Sequence, residues 1–140
     1  MKKPIFTVCV SLLAATSAAG QWLETTIWLS DSLGGVTIPR CVTYNSTDNT
    51  VYVGGESDDC VVVIDGATNQ KIARITAGSG VFAFCYNPQD NKVYCADYHD
   101  DGVTVIDGTS NRVIATIPVG EAPLCSLLQP SEQQCLLCEH

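Results

Sequence analysis

Positive charge is scarce in this sequence. Seven lysines and arginines face fifteen aspartates and glutamates, for a formal net charge of −8. Two of the cations, Lys2 and Lys3, sit at the extreme N-terminus, and the others, Arg40, Lys71, Arg74, Lys92 and Arg112, do not cluster. A nucleic-acid partner needs a basic surface to neutralise its phosphates, so this chain would repel one. Long apolar runs are missing as well. The longest, residues 5–15, is too short to span a bilayer. Beyond it no segment has an apolar period near 3.6, which excludes amphipathic helices. No Ser-His-Asp or Cys-His pattern is present, so no catalytic residue is assigned and the chain is read as a non-enzyme. Gly54-Gly55 and Gly78-Ser79-Gly80 close β-prone runs instead of opening helices, so they do not cradle a phosphate.

The N-terminus has its own logic. Lys2 and Lys3, the apolar stretch and the small residues Ser17-Ala18-Ala19-Gly20 make residues 1–20 a secretory signal peptide, cut after Ala19 or Gly20. The expected location is secreted, periplasmic or at the cell surface, with no membrane span. Cleavage removes two lysines and takes the net charge from −8 to −10. Cysteine is plentiful, and Cys41, Cys60, Cys85, Cys95, Cys125, Cys135 and Cys138 remain after cleavage, an odd set for an exported chain. Cys135-x-x-Cys138 lacks the directly following His of a haem-attachment motif, because Glu139 intervenes. No second Cys-x-x-Cys pair completes a zinc site. No cofactor is expected.

What the chain does have is a repeat. Residues 43–78 and 85–120, offset by 42 positions, agree at 18 of 36 positions. The shared frame runs Tyr-Asn-x-x-Asp-Asn-x-Val-Tyr, then Asp-Asp-x-Val-x-Val-Ile-Asp-Gly-x-x-Asn, then Ile-Ala-x-Ile-x-x-Gly. In each copy, two β-prone runs (40–45 and 51–53, or 82–87 and 93–95) flank a four-residue turn rich in Asp and Asn. A third run (61–65 or 103–107) leads through Asp65-Gly66 or Asp107-Gly108 into a fourth (71–76 or 113–118). Glycine is expected to supply the positive φ of that hairpin. Four short antiparallel strands in about 42 residues, repeated, make the blade of a β-propeller. The predicted fold is all-β, a propeller over residues 21–140. Residues 22–38 contain the outer strand of a preceding blade, 39–80 and 81–122 are complete blades, and 123–140 begin another.

Tyr44-Asn45 through Val51-Tyr52-Val53-Gly54 and Val63-Ile64-Asp65-Gly66, with their partners around Tyr86-Asn87 and Val105-Ile106-Asp107-Gly108, closely resemble the YVTN-type β-propeller repeat of YncE-like proteins. The resemblance implies an exported binding or scaffold module, because members of this family are mostly of that kind. Propellers close with about four to eight blades, so the expectation is a slice of a longer protein, or copies that associate through bare blade faces.

In a propeller the loops after the second and fourth strands gather at one end. Here they hold Glu56, Asp58, Asp59, Asp97, His99, Asp100, Asp101 and Glu121, while the turns at the other end are read as neutral and stereotyped. The sharper reading is a site for Ca²⁺ or another divalent cation at Asp97, His99, Asp100 and Asp101. The plainer one is a solvated acidic rim in which Asp58-Asp59 and Asp100-Asp101 cap the loop before the third strand. The candidate binding face adds Glu56, Asp58, Asp59 and Glu121, with a protein, a glycan or a cationic ligand as partner. The rival reading is part of a metal-assisted propeller enzyme whose catalytic residues lie elsewhere. Asp65 and Asp107 are turn residues, and Tyr44, Tyr52, Tyr86 and Tyr94 are expected to pack between blades. Pairing across the last hairpin sets Cys125 opposite Cys138, a candidate disulfide.

Overall fold

The computed structural model describes residues 25–27, 34–128 and 135–138. Among them are ten strands and no helix. The first sheet has β1 (Pro39–Asn45), β2 (Thr50–Gly55), β3 (Cys60–Asp65) and β4 (Lys71–Thr76), in that spatial order and antiparallel throughout. The second repeats it with β5 (Val81–Asn87), β6 (Lys92–Asp97), β7 (Gly102–Asp107) and β8 (Arg112–Pro118). A hairpin of β9 (Cys125–Leu128) and β10 (Cys135–Cys138) follows. The eight strands of the two full sheets lie where the sequence frame puts them. Even the irregularities recur: the ladder slips between Val63 and Ile64 and between Val105 and Ile106, which are equivalent positions. Equal local sequence gives equal bulges.

Strand β1 packs beside β5, and β5 beside β9, so the first strand of each sheet lies nearest the shared axis. Alternation then fills the space between blades. Tyr52, Val61, Val63 and Ile75 of the first sheet meet Val81, Val93, Cys95 and Ile106 of the second in one buried cluster. On the other face of the first sheet, Val53, Cys60, Val62 and Ile64 are covered by Val36, with Ile27 packed alongside. That is where a preceding blade would stand. Of the predicted segment 22–38, residues 25–27 and 34–38 are described and form no strand; the remainder lies outside the described residues, as do residues 1–20. Val42, Tyr44 and Ile72 on this face are 65%, 53% and 51% exposed. Tyr52 is fully buried between the two sheets and Tyr86 packs against the same cluster, as expected, while Tyr44 lies on the face toward the preceding segment.

Candidate functional site

At the turn end, polar side chains serve the backbone. Asn45 Oδ1 accepts from the amides of Thr47 and Asp48, and Asn87 Oδ1 from those of Gln89 and Asp90. Asn45 Nδ2 donates to Asn91 Oδ1 at 2.9 Å, Asn91 Nδ2 donates to Asp48 Oδ2 at 2.7 Å, and the Tyr52 hydroxyl donates to Asn111 Oδ1 at 2.6 Å. These bonds lock the turns of one blade to those of the next. This end is not neutral, since it carries Asp48, Asp65, Asp90 and Asp107. Asp65 and Asp107 each accept from the hydroxyl and amide three residues on, which holds both carboxyls below the usual range.

Glycine at these turns acts differently from the expectation. Asn69 and Asn111 take the positive φ (59° and 54°), as do Asn49 and Asn91. Asparagine tolerates this region because its short side chain bonds locally. Gly66 is required for close approach: a Cβ there would lie 2.6 Å from Asn49 Oδ1, and one on Gly108 would meet Asn91 and Asn45.

At the loop end three of the paired aspartates, Asp58, Asp100 and Asp101, act as clamps. Asp58 Oδ2 accepts from the Thr37 amide and hydroxyl, and Asp100 Oδ2 accepts from the Ser79 amide at 2.7 Å. Asp101 Oδ1 takes the Ala122 amide at 2.9 Å. Each bond spans 21 residues, so the loop after the second strand grips the segment that enters or leaves its blade. The expected capping of the loop before the third strand is replaced by bonds to the segments before the first strand and after the fourth. Glu56 is paired with Arg40. Among the described residues no three of His, Cys, Asp and Glu converge to hold a metal ion. His99 is exposed, with its ring edge-on to Tyr98 (5.0 Å). Phe82 stacks on Tyr98 at 4.7 Å and carries the Arg40 guanidinium 5.0 Å above its ring. Sequence reasoning missed this patch, because Arg40, Phe82 and Tyr98 lie 16 or more residues apart.

Asp97, placed in a loop by the sequence, is the last residue of β6 and is 1% exposed. Its Oδ2 accepts from the Thr104 hydroxyl at 2.6 Å, and Oδ1 is buried without a partner. Burial pushes the carboxyl up to about 6; the Thr104 hydroxyl opposes this and the nearby Asp100 charge adds to it. A cleft of about 270 Å³ opens beside it, lined by Thr76, Ala77, Gly78, Asp97, Asp100, Thr104, Val113 and Thr116.

Burial holds three of the described cysteines in the thiol form. Cys41, Cys60 and Cys95 form no disulfide. Burial pushes the Cys41 thiol up to about 12, and those of Cys60 and Cys95 upward too. A thiol so shifted supplies little thiolate. The β9–β10 register sets Cys138 opposite Cys125, the pairing on which the candidate disulfide depends.

No family model and no curated protein matches this sequence. Solved structures do. The chain superposes on hydrazine synthase from Kuenenia stuttgartiensis with a TM-score of 0.68 and 19% identity, over 84% of this chain and 32% of that one. A chain of the mitotic checkpoint complex gives 0.64 and 19% identity, over 71% and 32%. The β-propeller domain of Myceliophteria thermophila Cps50 (Swd1) gives 0.56 and 16% identity, over 66% and 29%. The chain thus spans about a third of the length of these neighbours. At such identity the likeness concerns the fold, and the fold is that of β-propeller blades.

Proposed function

We propose that this chain is part of an exported, non-enzymatic YVTN-type propeller that binds a protein partner through its loop end, the partner presenting a basic segment. The observation that carries this reading is the composition of that end. Loops from successive blades carry Glu56, Asp58, Asp59, Asp100, Asp101 and Glu121 at the end that also holds the Arg40–Phe82–Tyr98–His99 patch, where Glu56 pairs with Arg40. Carboxylates steer a basic partner, and rigid aromatics with an arginine supply the kind of anchor that dominates protein interfaces. The strands beneath hold the loops in place. One structural neighbour belongs to a multi-protein assembly, the mitotic checkpoint complex, which is the setting this reading supposes. The YVTN assignment is supported by the repeat frame, and export by the character of residues 1–20.

Surface-immobilised chain titrated with lysine- and arginine-rich peptides tests the proposal. Binding should weaken with salt, and should weaken again in a Glu56→Gln, Asp59→Asn, Glu121→Gln variant and in Phe82→Ala. A chain that ignores every basic peptide at physiological salt refutes it. Export is checked by sequencing the N-terminus of chain recovered from outside the producing cell. Cleavage after Ala19 or Gly20 is expected, and retention of residues 1–20 would overturn that part.

A further inference from the structure

The inter-blade cleft has an internal control, because each residue that lines it has a counterpart 42 positions earlier. In the first unit Val36 lies over Gly55, beside Val62. In the second the same places hold Gly78, Asp97 and Thr104. The exchange is reciprocal in volume. A Cβ on Gly55 would strike Val36, and one on Gly78 would lie 2.5 Å from the Asp97 carboxylate. An apolar set has been replaced by a polar one as a group.

The outer wall changes too. Thr76, Val113 and Thr116 of the cleft correspond to Gly34, Lys71 and Arg74. In the first unit those positions hold the protein's own cations. Lys71 Nζ donates to the Gly34 carbonyl at 2.7 Å, and the Arg74 side chain lies against Gly34, close enough to favour the ionised forms of Asp58 and Cys60. In the second unit valine and threonine leave that space vacant, as the 270 Å³ cleft. The same cleft gains a buried carboxylate whose Oδ1 has no partner, with Asp100 beside it.

We propose that this cleft binds an alkyl cation, the ammonium or guanidinium head carried by a lysine or arginine side chain, with the head at Asp97 and the stem against Val113 and Ala77. The ligand supplies from outside the cation that Lys71 and Arg74 supply from within one blade earlier. Asp97 Oδ1 accepts the charge-assisted hydrogen bond it lacks, the Thr76, Thr104 and Thr116 hydroxyls surround the head, and the apolar walls take the methylenes. The inference deepens the binding reading above, by naming the side-chain class a basic partner would insert. A water molecule in the same cleft would also satisfy Oδ1, and the experiment separates the two.

n-Butylammonium and n-butylguanidinium are titrated into the full chain, with amide shifts of Gly78, Asp97 and Thr116 followed by NMR, and CaCl₂ as the competing probe. Saturable shifts confined to the cleft are expected. Asp97→Asn should weaken them about tenfold or more. Thr116→Arg, which restores the first unit's cation, should abolish them while the chain stays folded. Four results would overturn the proposal: no saturable shift in the wild type, meaning that water alone fills the cleft; equal binding by both variants; the same affinity for neutral n-butanol; or CaCl₂ binding the cleft more tightly than either cation. If basic peptides bind the loop end but ignore Asp97→Asn and Thr116→Arg, this inference fails while the broader function stands. If the alkyl cations bind and the peptides do not, the reverse holds.

Discussion

Positions 36, 55, 62, 71 and 74 of the first unit and 78, 97, 104, 113 and 116 of the second are equivalent in the repeat, yet none of the five pairs matches. Around them the frame scarcely changes: strand bounds agree to within one residue, and the third-strand bulges and the Asn turns coincide. The difference separates two kinds of constraint. Turn residues answer to their own backbone, so each copy must keep them. Interface residues answer only to each other, so Val36 over Gly55 can become Gly78 over Asp97 provided both change. Close packing enforces that coupling, since interiors have no room for one member to change alone.

The largest expected effect tests the shared part of the comparison. Ile106→Ala should cost about 2–5 kcal/mol, because the side chain is fully buried between the blades. Ile64→Ala, its counterpart at 6% exposure, should fall at the low end of that range in the same urea titration.

The reciprocal volumes come next. Gly78→Val should cost about 2–3 kcal/mol by driving a side chain into Asp97. Asp97→Gly in the same chain should recover at least about 1 kcal/mol of that, as a double-mutant cycle would show. A purely additive pair would break the claim that the two positions are coupled.

The third effect is pH dependence. Asp97 holds its proton more tightly folded than unfolded, its carboxyl standing near 6 against 3.8. Its contribution is therefore greatest below about pH 4 and is lost as pH rises through about 6. Asp97→Asn should raise stability by about 1–2 kcal/mol at pH 8 and change little at pH 4, read as the shift in urea midpoint at each pH. Asp58, Asp65 and Asp107 have the opposite sign, since their lowered carboxyls stabilise the fold above the ordinary range and lose that effect as acid protonates them. The first unit has Gly55 in place of Asp97 and contributes no counterpart to the neutral-pH loss. The smallest effect is at the rim: Ile114→Ala, on an outer strand exposed at every position, should stay within about 0.5 kcal/mol by the same assay.

The blades were legible because their signals are local. Asp48-Asn49 and Asp90-Asn91 announce turns, and Val51-Tyr52-Val53 is a short β-prone run covered on both faces. Gly66 and Gly108 were misjudged for the same reason: locally they look like positive-φ glycines, whereas their need arises from a turn some 17 residues away. The site was less legible. Asp97 follows Ala96 and precedes Tyr98-His99-Asp100-Asp101, which reads as an acidic loop; only β7 and Gly78 make it buried. The Phe82–Tyr98 stack likewise joins the start of one strand to the loop after the next.

By itself the sequence determined the strand count of each unit, the turn chemistry, the repeat and the sign of the charge, because each depends on neighbours within a few residues or on simple sums. The tertiary structure decided which aspartates are clamps, which one is buried with an oxygen left unpartnered, and that one blade places its own cations where the next has a cleft. Those outcomes depend on contacts up to 40 residues apart, where volume and charge are matched in space and not along the chain.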